Sequence, residues 1–262
     1  MSVVATAIRA AKQQRRGALI GYLPAGYPDV QTSIDAVVAL AENGADVIEL
    51  GVPYSDPVMD GSVIQAATQE ALARGFKLRH LFEVIRGVTA RTDVPVLVMT
   101  YFNPVLQYGV DRFADDFLAA GGAGLITPDL IPDEAAEWMA ASERTGLDRV
   151  FLAAPTSSDE RLDSVIAHSR GFVYTVSTMG TTGVRADLDA AAEVLTGRLR
   201  ARDPEVLACV GIGVSTGEQV SQVLDYADGA IVGTALVAAL RDGGPAGVAA
   251  KARELASGTI PR

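Results

Sequence analysis

Short apolar runs alternate with longer helical patterns along the whole of this 262-residue chain. This alternation constrains the fold strongly, because strands separated by helices pair in parallel through right-handed crossovers. Eight runs are predicted to be strands, at residues 18–23, 46–50, 94–100, 122–127, 149–153, 172–176, 206–210 and 229–232. Eight such units favour an α/β fold of the closed (β/α)₈, or TIM, barrel type over an open doubly wound sheet.

The helical patterns add two features to this barrel. Residues 1–16 predict an amphipathic N-terminal helix that precedes the first strand. Two helices, 62–74 and 78–92, are predicted between the second and third strands, so one of them is an extra helix. Others are predicted at 30–43, 110–120, 133–145, 159–169, 188–199, 217–226, 235–241 and 246–256. No linker divides the sequence, and we expect one domain over residues 1–262.

Polar and Gly/Pro-rich segments follow the predicted strands. They lie at residues 24–28, 52–61, 101–104, 128–132, 177–187, 211–215 and 233–234. In barrels of this kind the active site is built from the loops at the carboxyl ends of the strands. The sequence therefore predicts a site at that end.

Composition excludes several classes of partner. The net charge of −10 argues against nucleic acid, since phosphate contacts demand clustered Lys and Arg. No apolar run reaches the ~18 residues of a membrane span, and residues 1–16 lack the long apolar core of a signal peptide. The single cysteine, Cys209, cannot form an internal disulfide and suits a reducing, cytoplasmic location.

Two carboxylates, Glu49 and Asp60, are the candidate catalytic groups. Glu49 interrupts an apolar strand, where a charge is costly unless it is paired or used, and Asp60 follows in the next loop. Two such acids can act as an acid–base pair. The alternatives are a structural ion pair for Glu49 and an ordinary turn position for Asp60 before Gly61.

Glycine-bearing segments after the last three strands suggest a phosphate site. They are residues 180–183, 211–213 and 233–234. Main-chain N–H groups at such turns, together with a helix N-terminus near Thr234, bind phosphate well. Each segment alone could equally supply turn glycines and a threonine cap, but three in order at successive strand ends favour phosphate.

The lysines and histidines of the chain restrict the reactions that it could catalyse. The three lysines, Lys12, Lys77 and Lys251, lie in or beside predicted helices, which argues against a Schiff-base aldolase. His80 and His168 also lie in helices, so we predict no metal site. The chemistry that remains is acid–base catalysis by carboxyl groups, on a substrate that is bound through its phosphate.

Residues 48–61 carry a specific resemblance. Their pattern of aliphatic-Glu-aliphatic-Gly, followed by Pro-aromatic-Ser-Asp-Pro and Asp-Gly, is similar to that of the tryptophan synthase alpha subunit family. Further matches lie at residues 25–28, 101–104, 128–130, 182–183, 211–213 and 228–233. The resemblance covers essentially the whole chain. It implies a lyase of tryptophan biosynthesis that cleaves indole-3-glycerol phosphate to indole and glyceraldehyde 3-phosphate by a retro-aldol reaction.

The resemblance also implies roles for individual residues. Glu49 would act as both acid and base, and Asp60 would accept the indole N–H. The indole pocket would contain Tyr22, Thr100, Tyr101, Tyr174 and Ile212. The phosphate would be held by Gly183, Gly211, Gly213, Gly233 and Thr234.

A partner is implied in the same way. Alpha subunits of this family dock on a pyridoxal-phosphate beta subunit in an α₂β₂ heterotetramer, and no cofactor is expected on this chain. Segments 52–60 and 129–133 would be the docking surface, and segment 177–187 would be a lid over the site. Two rivals remain at this point: a different phosphate-binding barrel enzyme, and a barrel that only binds and activates a partner.

Overall fold

The computed structural model describes residues 2–176, 185–211 and 213–260, with side chains from 190 onward in the second of these ranges. Its sheet is parallel throughout. The strands are β1 (Ala18–Pro24), β2 (Val47–Gly51), β3 (Val96–Met99), β4 (Gly124–Ile126), β5 (Asp148–Val150), β6 (Leu152–Ala153), β7 (Val173–Val176), β8 (Ala208–Gly211) and β9 (Gly229–Val232).

The order of the strands is that of a barrel. It runs β5-β4-β3-β2-β1-β9-β8-β7-β6, so the first strand is central and the two ends are β5 and β6. Only Phe151 separates β5 from β6, and together they form the fifth strand of the predicted barrel. All eight predicted strands are therefore present, and the (β/α)₈ fold is confirmed.

Helices surround this sheet. They are α1 (Val3–Gln13), α2 (Val30–Glu42), α3 (Ser62–Ala73), α4 (Leu78–Thr89), α5 (Phe102–Tyr108), α6 (Val110–Ala119), α7 (Ala136–Thr145), α8 (Asp159–His168), α9 (Arg185–Arg202), α10 (Gly217–Leu224) and α11 (Thr234–Ala256), with short 3₁₀ turns at Pro132–Glu134 and Ser257–Thr259. The two predicted helices between β2 and β3 are both present. None of the helices in the described ranges has a stretch long and apolar enough to cross a bilayer.

Two helical regions differ from the sequence-based prediction. Helix α5 begins at Phe102, within a segment predicted to be loop, because its N-terminus is capped from a distance: the Asp129 carboxylate accepts the Phe102 N–H at 2.9 Å. The two predicted C-terminal helices form one element, α11, with a break at Gly244, whose φ is 58°. Pro245 accounts for the break, since the residue before a proline is disfavoured in the helical conformation.

The interior of the barrel is closed at its amino-terminal end by α1. Val4 and Ile8 of this helix pack on inward residues such as Ile20 and Val47, while the alternate strand residues face the outer helices. The start of α1 is held by Asp148, whose Oδ2 accepts the Ser2 hydroxyl at 2.6 Å. The carboxyl ends of the strands are thus the end at which a ligand can enter.

Candidate active site

Glu49 lies on the inner face of β2. Alternation along this strand turns Ile48 and Leu50 toward the outer helices and Glu49 toward the interior, where it is in register with Tyr22 of β1 and Leu97 of β3. Its side chain is buried, with 1% exposure, and Oε2 has no hydrogen-bond partner among the described residues. None of the described residues forms an ion pair with Glu49, which was the alternative suggested by the sequence.

The protonation of Glu49 follows from this burial. Removal from water disfavours the charged form and raises the pKa of Glu49 to about 8, and the carboxylate of Asp60 acts in the same direction. Because the charge of Asp60 acts on Glu49, the two carboxyl groups must lie in the same part of the barrel. At neutral pH Glu49 is therefore mainly a neutral acid with a proton to donate.

Asp60 reaches the same region from the segment between β2 and α3. It is half-buried, and burial raises the pKa of Asp60 to about 6. At neutral pH it is mainly ionised. A pair of carboxyl groups whose pKa values are separated in this way divides naturally into an acid and an anionic partner.

Tyr22 and Tyr174 complete the inner wall. Burial, followed by the carboxylates of Asp60 and Glu49, raises the pKa of Tyr22 well above its ordinary value. The pKa of Tyr174 is raised well above its ordinary value by burial first, then by Glu49, Tyr22 and, more weakly, Cys209 and Asp60. Both rings therefore lie near the two acids.

Two glycines make space for these tyrosines. A methyl group on Gly51 would overlap the Tyr22 hydroxyl, and one on Gly211 would lie 2.6 Å from the Tyr174 hydroxyl. In both cases the obstruction is a rigid ring in a buried wall. These glycines thus fix the tyrosine positions, a packing role additional to the phosphate role predicted for Gly211.

Thr100 and Tyr101 follow β3 at the same end of the barrel. The Thr100 hydroxyl is buried and donates to the Tyr101 carbonyl at 2.9 Å. The Tyr101 hydroxyl accepts the Met59 N–H at 2.8 Å, and its ring stacks on Tyr54 with centroids 5.0 Å apart. Burial raises the pKa of Tyr101 to about 12. Tyr101 thus contacts Met59, the residue next to Asp60. The sequence did not predict this contact.

Four of the five predicted phosphate residues are described, and they lie around the ends of β8 and β9. Gly211 ends β8, Gly213 has a φ of 74°, and Gly233 precedes Thr234, the exposed first residue of α11. A methyl group on Gly233 would approach Tyr22 Cδ1 at 3.3 Å, so this glycine adjoins the tyrosine that also contacts Gly51. Main-chain amides at a helix start suit an anion.

Other predicted features fall elsewhere. Gly183, Ile212 and the greater part of the predicted lid 177–187 lie outside the described residues. Within the part of the chain that the structure covers, no three His, Cys, Asp or Glu side chains are grouped to hold a metal ion. Gln65 was missed by sequence reasoning; its amide contacts the Asp60 loop, and no local pattern marks that contact.

These features define a class: a (β/α)₈-barrel enzyme with a buried acid and an ionised carboxylate at the carboxyl ends of its strands. The family model described as tryptophan synthase alpha chain matches residues 8–258. The chain therefore belongs to the tryptophan synthase alpha chain family, whose members are lyases of the tryptophan synthase reaction.

Individual relatives agree over nearly the full length. The chain is 68% identical to the tryptophan synthase alpha chain of Leifsonia xyli, with 99% of both sequences covered, and 54% identical to that of Mycobacterium avium, with 97% and 93% covered. Its fold superposes on a tryptophan synthase structure from Mycobacterium tuberculosis with a TM-score of 0.94 at 50% identity, covering 100% and 99% of the chains. A tryptophan synthase complex from Pyrococcus furiosus gives 0.82 at 36% identity, covering 92% and 98%.

Proposed function

We propose that Glu49 and Asp60 divide the acid–base work of the alpha reaction, the cleavage of indole-3-glycerol phosphate to indole and glyceraldehyde 3-phosphate. The observation that carries this proposal is the pair of neighbouring carboxyl groups with pKa values of about 8 and about 6. One is an acid and the other a base at the same pH, which the reaction needs at its start.

The steps follow from the chemistry of indole. Protonated Glu49 donates its proton to C3 of the ring, and ionised Asp60 accepts the ring N–H and stabilises the positive charge that develops. Glu49, now a carboxylate, then removes the proton of the hydroxyl on the carbon joined to C3. The carbonyl of glyceraldehyde 3-phosphate forms, the carbon–carbon bond breaks, and its electron pair returns to the ring as indole.

The binding roles are proposed on the same basis. Tyr22 and Tyr174, with Thr100, Tyr101 and Ile212, would surround the indole ring. Gly183, Gly211, Gly213, Gly233 and Thr234 would hold the phosphate. The proximity of Gly233 to Tyr22, where an added methyl group would come within 3.3 Å of the ring, supports this arrangement, because one small molecule could reach both the carboxyl groups and the main-chain amides.

The partner is a tryptophan synthase beta subunit, which receives the indole. We place the docking surface on segments 52–60 and 129–133, in an α₂β₂ heterotetramer. Val58, at 82% exposure, supports the position of the first segment, since large apolar side chains on a surface mark contact sites. The lid is proposed for segment 177–187.

Three further properties complete the proposal. Pyridoxal phosphate belongs to the beta subunit, and this chain carries out its own step with side chains and main-chain amides. The location is the cytoplasm, supported by the biosynthetic reaction and by a lone, free and buried Cys209. The chain acts as one domain over residues 1–262.

Glu49→Gln and Asp60→Asn test the assignment. Each should lower indole release by about 10²–10⁴-fold, because each removes a proton-transfer or charge-stabilising group while keeping its size. Activation of the beta subunit should persist in both. Glu83→Gln, at an exposed position on α4, is the matched control. Native-like indole release from Glu49→Gln would rule out the mechanism, whereas a native chain that releases no indole and still activates the beta subunit would favour a barrel that only activates its partner.

A further inference from the structure

The loop that carries Asp60 has no regular secondary structure of its own. It runs from Gly51, where β2 ends, to Ser62, where α3 begins. A carboxylate on such a segment is placed by whatever holds the main chain. Within the loop, the Asp60 N–H donates to the Pro57 carbonyl at 3.1 Å, which makes a turn but does not attach that turn to the barrel.

Gln65 supplies an attachment from the first part of α3. Its Nε2 donates to the Asp60 carbonyl at 2.9 Å and to the Pro57 carbonyl at 3.3 Å. The Gln65 main-chain N–H donates to the Gly61 carbonyl at 2.9 Å, four residues earlier, so Gln65 is itself part of the helix. One side-chain amide thus joins both ends of the turn to a regular element.

Tyr101 attaches the same turn from the opposite direction. Its hydroxyl accepts the N–H of Met59, the residue before Asp60, at 2.8 Å. Tyr101 directly precedes α5 and is buried. The peptide unit that precedes Met59 and the one that follows Asp60 are therefore held by side chains from two different parts of the barrel.

We propose that Gln65 is a positioning residue for Asp60: its amide fixes the turn so that the carboxylate meets the ring N–H in the reaction. This inference rests on the role proposed for Asp60. Gln65 does not contact the reacting atoms in this assignment. Its effect is on geometry, and a small misplacement of a catalytic group has a large effect on rate.

Gln65→Met tests this directly, because methionine keeps the length and helix-forming tendency and cannot donate. In the full chain with its beta subunit, kcat for indole release should fall about 10–100-fold. Inhibition by glyceraldehyde 3-phosphate, which reports on the phosphate end, should stay within about 2-fold of native, since that end of the site is untouched. Gln69→Met, exposed on the same helix, is the matched control and should keep native turnover.

A conservative variant should restore part of the rate. Gln65→His replaces the amide N–H with a ring N–H at a similar distance from the main chain. This ring N–H can donate a hydrogen bond to one of the two carbonyls. We expect its turnover to lie between those of Gln65→Met and the native chain. Turnover of Gln65→His no better than that of Gln65→Met would contradict a role for the hydrogen bonds.

A double-variant comparison separates positioning from a general structural effect. In an Asp60→Asn background, Gln65→Met should change turnover by less than about 2-fold, because the group that it positions is already disabled. Equal losses in both backgrounds, or native turnover in Gln65→Met alone, would overturn the positioning role. Native turnover in Asp60→Asn alone would instead overturn the proposed role of Asp60, and this inference with it.

Discussion

Replacing Glu49 by glutamine removes the ionisable group and keeps the size of the side chain, so it reports on the environment of this carboxyl group. Its pKa is about 8 in the folded chain against an ordinary value of 4.5. The folded state therefore binds the proton more tightly than the unfolded state. It follows that the contribution of Glu49 to the free energy of unfolding decreases as the pH rises from 4.5 to 8 and is constant outside that window.

The size of the effect follows from the same two pKa values. Each pH unit in the window changes the free energy of unfolding by 1.36 kcal/mol for one group. Relative to the native chain, Glu49→Gln should thus gain about 1 kcal/mol at pH 5.5 and about 4 kcal/mol at pH 7.5. A chain of this size gains roughly 2–4 °C in unfolding midpoint per kcal/mol.

Thermal unfolding followed by circular dichroism at the two pH values measures this difference. Any constant effect of the new amide cancels when the gains at pH 5.5 and pH 7.5 are compared. Glu83→Gln should shift the midpoint by little at either pH, as exposed substitutions usually do. A gain for Glu49→Gln that is the same at both pH values would refute the argument that burial holds this group neutral.

Three further predictions concern catalysis and packing. The rate constant kcat/KM for indole release should be bell-shaped with pH, with an acidic limb near 6 where Asp60 must lose its proton and an alkaline limb near 8 where Glu49 must keep its own, in assays from pH 5 to 9. Gly51→Ala should lower both stability, by about 1–3 kcal/mol, and indole release, because the new methyl group displaces the Tyr22 ring; denaturant unfolding and turnover measure the two effects. Asp148→Ala should lower stability by about 2–4 kcal/mol in the same unfolding assay and leave turnover at 25 °C unchanged, because this buried carboxylate holds α1 at the far end of the barrel.

Each of these has a control or a contrary outcome. A rate that increases steadily from pH 5 to 9 would contradict the assignment of acid and anion. For Gly51, the comparison is Gly197→Ala in α9, where a methyl group meets nothing within 4 Å and should be tolerated. A large loss of turnover in Asp148→Ala at 25 °C, with the chain still folded, would show that α1 acts on the site.

The sequence predicted the strand that carries Glu49 because that information is local. An apolar run that is interrupted by one acid can be recognised without knowledge of the fold. The structure has the strand at Val47–Gly51. Helix α5 was not recognised, because its N-terminal hydrogen bond comes from Asp129, 27 positions away. Contacts between distant positions leave no mark in a local pattern.

Taken alone, the sequence determined the alternation of strands and helices and the class of fold, and it pointed to the two candidate acids, since periodicity, turn residues and a charge in an apolar strand are properties of neighbouring residues. Only the tertiary structure decided the protonation of those acids and the placement of Asp60. Burial and the mutual repulsion of Glu49 and Asp60 raise the pKa of Glu49, and Gln65 and Tyr101 hold the turn. These effects depend on groups brought together from different elements, so they arise only when the barrel closes.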